Sequence, residues 1–138
     1  MEFTWKKIAL LCGIVIGIIV LPLFLFSNPM VNYYARRVDE NPDSGLNKWL
    51  LMASADICYK TMRPELSAEF YYKFMEKYPD DPRRPQLFMR YANSLEDANR
   101  NKEADAMYMR YVEEYPDRED KAQAESGLHR IRYTKPNR

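Results

Sequence analysis

The chain has 138 residues, 30% of them charged, with 21 Lys+Arg against 20 Asp+Glu for a net charge of +1. With the apolar N-terminus set aside, that length leaves one small domain, and the balanced charge argues against nucleic acid as a main partner, since phosphate binding needs a concentrated basic surface. Two cysteines, Cys12 in the apolar stretch and Cys58 in a predicted helix, give no disulfide framework. Only four glycines in a chain rich in Ala, Leu, Met, Glu, Lys and Arg point to an all-α fold.

The first predicted element is the stretch from Ile8 to Phe26, IALLCGIVIGIIVLPLFLF. Its roughly 19 uncharged residues, at about 1.5 Å rise each, match a hydrocarbon core. Residues 1–27 are therefore expected to form a single N-terminal transmembrane helix. The run exceeds an ordinary signal-peptide core, and Leu25 stands where a cleavage site after Ser27 needs a small residue. Leu11 before Cys12 likewise argues against a lipoprotein signal. Lys6 and Lys7 place the N-terminus in the cytoplasm, so the remainder is expected across a bacterial inner membrane, in the periplasm. Ala9, Gly13 and Gly17 recur every four residues and predict a packing seam for a neighbouring membrane helix, although glycine is also common in membrane helices without that role. Pro22 predicts a kink or an end to the helix.

Residues 28–47 read as a juxtamembrane connector. Tyr33 and Tyr34 suit an aromatic belt at the headgroups, and Asn41-Pro42-Asp43-Ser44-Gly45 is a cluster of turn formers.

Beyond it the chain repeats itself at an offset of 37 residues: Glu76-Lys77-Tyr78-Pro79-Asp80 falls on Glu113-Glu114-Tyr115-Pro116-Asp117. Upstream, Tyr71 aligns with Tyr108, Phe74 with Tyr111, Met75 with Val112, Ala55 with Ala92 and Leu51 with Phe88. The pattern resembles the tetratricopeptide repeat, a pair of antiparallel helices with an alanine opening the second and a proline closing it. The unit at 85–118 fits through Phe88, Tyr91, Ala92, Leu95, Ala104, Tyr108, Tyr111 and Pro116. The unit at 48–81 fits less closely, because Ser54 and Ser67 replace a larger apolar residue and alanine. Asp80-Asp81-Pro82-Arg83-Arg84-Pro85 supplies the lengthened turn that the 37-residue offset needs over the usual unit of about 34. Apolar positions three and four apart bury only when helix pairs stack. The segment 119–133, with Ala122, Ala124, Leu128 and Ile131, is expected to be a capping helix, and 134–138 a basic tail.

The resemblance implies a module that holds partners, similar to envelope proteins that assist outer-membrane assembly or coordinate cell-wall synthesis with division. Its geometry implies a partner groove lined by Trp49, Met52, Asp56, Tyr59, Gln86, Met89, Asn93, Glu96 and Asp97, a mixture that suits a peptide or helix. The functional expectation is a membrane-anchored adaptor or accessory subunit whose partners are other membrane-protein subunits and lipid, with no small-molecule substrate. The alternative is an envelope chaperone or targeting receptor, similar in layout to import receptors of the mitochondrial outer membrane. No enzyme is expected: His129 stands alone, acid pairs fall on polar faces, and no metal-ligand spacing, phosphate loop or cofactor motif appears.

Overall fold

The computed structural model describes residues 5–25, 27–41 and 43–134, which hold seven α-helices and no strand. They are α1 (Trp5–Leu25), α2 (Asn28–Glu40), α3 (Gly45–Lys60), α4 (Pro64–Lys77), α5 (Arg84–Asp97), α6 (Asn101–Glu114) and α7 (Lys121–His129). The last runs on into a π-helical turn, Arg130–Thr134. Prolines begin several of them: Pro29, Pro64 and Pro85 each occupy a first turn, where the missing N–H has no intrahelical partner to lose. Ser44 caps α3 by accepting from the Asn47 N–H.

From α2 onward each helix packs chiefly on its neighbours in sequence, α2 on α3 through to α6 on α7. The loops explain why. The turn from α3 to α4 places Met62 at φ 57°, and that from α5 to α6 places Asn99 at φ 59°. In both, the left-handed residue donates three positions back (Met62 to Tyr59, Asn99 to Glu96). The next residue donates five back (Arg63 to Cys58, Arg100 to Leu95). This is the Schellman ending, which stops one helix and reverses the chain within three residues.

The repeat is wider than the tetratricopeptide-like pattern suggests. A shift of 37 residues carries Met62 onto Asn99 and α4 onto α6, and it also carries α2 onto α4 and α5 onto α7 with its π-turn. The Pro-Asp pair at 42–43 is thus the first of three, with 79–80 and 116–117. The segment expected as a connector holds a helix, α2, whose Val38 is fully buried in the same cluster as Leu51, Ala55, Tyr71 and Phe74. The array therefore reads as three helix pairs, α2–α3, α4–α5 and α6–α7. A second cluster centres on Phe88, Ala92, Leu95, Tyr108 and Tyr111, and Met75 and Tyr91 pack against both. Each fully buried large side chain contributes about 1.5–3 kcal/mol relative to exposure, so the two clusters carry the array.

The two serines that depart from the repeat pattern have different fates. Ser67 Oγ lies 3.1 Å from Ser94 Oγ and 3.3 Å from the Ala55 carbonyl oxygen, a polar link between α4, α3 and α5 where Ala104 stands in the copy. Ser54 is fully buried and its Oγ has no partner, which is a local cost of the order of 1–3 kcal/mol. α7 buries Ala124 and Gly127 and the π-turn after it buries Ile131, while Ala122 is exposed. A Cβ on Gly127 would stand 2.6 Å from Tyr108 Cζ, so only glycine lets α7 approach the buried Tyr108 ring so closely.

The N-terminal expectation does not hold. Among the described residues no helix is long and apolar enough to cross a membrane, which overturns the transmembrane anchor at 1–27. With it go the cytoplasmic N-terminus and the periplasmic placement that were built on that anchor. The helix runs past Pro22 to Leu25 without ending there. Leu10, Leu11, Ile16 and Ile18 are exposed, and an added Cβ at Gly13 or Gly17 meets nothing within 4 Å. Tyr33, expected in an aromatic belt, instead accepts a hydrogen bond from Arg37 Nε at 2.9 Å on α2. Pro42 of the turn cluster and Lys135 and Arg138 of the basic tail lie outside the described residues.

Candidate functional site

The expected groove residues lie on α3 and α5, at repeat-related positions: Trp49 with Gln86, Met52 with Met89, Asp56 with Asn93, Tyr59 with Glu96. The structure brings four of the nine together. Trp49, Met52, Asp56 and Gln86 line a cleft of about 390 Å³ between α3 and α5, closed by Arg83, Leu87 and Arg90. Trp49 is 63% exposed there, and Met52 is half-buried. An aromatic ring of that size held in water on a rigid helix is the main apolar feature of the face.

Several of the nine are engaged in holding the array together. Asp56 accepts from the Tyr71 hydroxyl at 2.7 Å and from Arg90 Nη1 at 2.5 Å, so α3, α4 and α5 converge on one carboxylate. The copy repeats the arrangement: the Tyr108 hydroxyl lies 2.5 Å from Asn93 Oδ1 and 2.9 Å from Glu96 Oε2. Glu96, only 5% exposed, also receives a two-pronged bond from Arg130, at 3.1 and 2.9 Å. Burial, reinforced by the neighbouring carboxylates, pushes the Tyr71 and Tyr108 hydroxyls well above the ordinary tyrosine range. Met89 is buried in the second cluster. Tyr59 is marginally exposed, edge-on to Tyr71 at 6.4 Å. Asp97 lines a separate cleft of about 350 Å³ with Arg63, Glu65 and Asn99.

One edge of the α3–α5 cleft is fixed by a cation–aromatic cluster. Asp81, 7% exposed, accepts from the Arg83 backbone N–H, Nε and Nη2, each at 2.9 Å, and pairs with Lys48 Nζ at 2.9 Å. Lys48 lies 4.8 Å from the Tyr78 ring centre and Arg83 lies 5.4 Å from that of Phe74. The Arg83 guanidinium, with Lys48 beside it, holds the Asp81 carboxyl well below the usual carboxylate range. The repeat reverses the signs here, since Arg118 and Asp120 take the places of Asp81 and Arg83 and also pair, at 3.0 Å.

Sequence reasoning missed Arg83 and Arg90. Arg90 was legible in part, because it lies four residues after Gln86 and so on the same face. Arg83 sits in the inter-helix turn, outside any helical period. Both are already ion-paired, so the cleft combines exposed aromatic and thioether surface with cations whose charge is largely answered. Among the described residues no group of three or more His, Cys, Asp or Glu is placed to hold a metal ion. No family model matches the chain, and no curated protein matches it.

Proposed function

We propose that the chain is a helical-repeat adaptor of tetratricopeptide type, acting by holding a partner segment on the outer face of α3 and α5 and catalysing nothing. The observation that carries this reading is the cleft around Trp49: a largely exposed indole beside Met52, on a face whose Asp56 carboxylate is locked by Tyr71 and Arg90. A preorganised face with one uncovered aromatic anchor loses little conformational freedom on binding. A repeat array also supplies this face without needing any side chain to do chemistry. Nothing in the reading depends on a bilayer.

The test uses the full chain carrying Trp49→Ser and Met52→Ser, purified natively from its own cells beside the unaltered protein. The adaptor reading predicts a stoichiometric partner with the unaltered chain, lost at least ten-fold in the variant while helical content is unchanged. An unaltered partner set in the variant would rule this face out. A receptor that takes client segments transiently would instead give sub-stoichiometric adducts of several proteins.

A further inference from the structure

Away from the Trp49 cleft, α4 and the start of α6 flank a second cleft, of about 610 Å³, lined also by Tyr91 of α5. Glu65, Glu69 and Tyr72 come from one face of α4, at a spacing of four and three residues. Arg100 and Glu103 come from the start of α6. Glu65, Glu69 and Tyr72 are exposed, Tyr72 by 51%, and its ring centre is 5.9 Å from that of Tyr91. Arg100 is already held by Glu103 through two bonds, at 2.8 and 2.5 Å. That pair is neutral, so Glu65 and Glu69 leave the cleft with two negative charges beside two aromatic rings.

The repeat shows that the fold does not require this combination. A shift of 37 residues puts Lys102, Ala106 and Met109 in place of Glu65, Glu69 and Tyr72, and the preceding copy has Asn28, Asn32 and Ala35. The array is built equally well without acids or an aromatic at these positions, and only α4 carries them.

We propose that this cleft is a docking site for a basic segment of a partner protein, one whose Arg or Lys side chain enters between the Tyr72 ring and the Glu65 and Glu69 carboxylates. Carboxylates set beside an aromatic face attract a cation by charge and by the ring quadrupole together. The Tyr91 ring in the lining favours a side chain with an apolar stem, which Arg and Lys both have. The site stands independently of the Trp49 face, with which it shares no lining residue, and an adaptor joining two proteins uses both.

The test is calorimetric titration of the full chain with the blocked peptide Gly-Arg-Ala-Arg-Gly, beside Gly-Glu-Ala-Glu-Gly and free arginine. The arginine peptide is expected to bind, the glutamate peptide not to bind, and free arginine to bind at least ten-fold more weakly. Glu65→Gln with Glu69→Gln is expected to weaken the arginine peptide ten-fold or more, and Tyr72→Ala by several-fold. Glu113→Gln with Glu119→Gln, the same charge change at exposed positions elsewhere, is expected to leave it unchanged. Equal losses in the two double variants would mean generic charge attraction and overturn the site. So would an arginine peptide that does not bind, or free arginine binding as tightly as the peptide.

Discussion

Met62 and Asn99 do the same job at the two Schellman turns, yet only one of them suits it. A left-handed backbone costs an ordinary L-residue about 1–2 kcal/mol, and asparagine is among the few that visit it readily. Met62, 87% exposed, adds no buried contact to offset that strain. Met62→Gly is therefore expected to stabilise the fold by about 0.5–1 kcal/mol, allowing for glycine's greater freedom when unfolded. Asn99→Gly should change it by less, and urea midpoints of the two variants provide the comparison. The Met62 turn was not visible in the sequence, because the usual signal for a helix ending of this type is a glycine or an asparagine; the Asn99 turn carried the weaker of those two signals.

Among the elements, the π-turn that ends α7 is held to α5 by a partly buried contact. Arg130 reaches the buried Glu96 carboxylate with two bonds, whereas Arg132 pairs with Asp105 at 2.8 Å on a more exposed surface. Arg130→Ala is expected to cost about 1–3 kcal/mol, since a buried charge loses its charged donor. Arg132→Ala should cost under about 1 kcal/mol. Thermal unfolding of both variants checks the order. This contact also explains why the sequence reading of Glu96 as a groove residue went only half-way: its position on α5 was legible from the repeat, but the cation that covers it comes from 34 residues away. The helix pattern of α3 to α6 was legible because apolar spacing records a local period. The identity of α2 was not, because its match to α4 is confined to few residues, notably Val38 opposite Met75 and Tyr34 opposite Tyr71. The apolar run of α1 was readable as a helix and misleading as a membrane span.

For the molecule as a whole, the three buried tyrosines tie stability to pH from the alkaline side. Burial and the Asp120 carboxylate push Tyr111 up to about 12, and Tyr71 and Tyr108 are also raised. The native state thus keeps protons that the unfolded chain releases near pH 10. Stability from these groups is complete below about pH 10 and is lost as pH rises through the folded values. Tyrosinate absorbance is expected to show these three titrating only together with loss of helical signal. On the acid side Asp81 has the opposite sign, so its contribution is present above about pH 4 and declines as pH falls toward its depressed folded value.

The central claim is that the face of α3 and α5 around Trp49 is where a partner is held. A photo-crosslinking phenylalanine analogue placed at Met52, and separately at exposed Gln123 on α7, examines that face in the full chain inside its own cells. The account predicts one discrete adduct from position 52 that is absent from position 123 and disappears when Trp49→Ser is added. Identical adducts from both positions, or an adduct from 52 indifferent to Trp49, would contradict it.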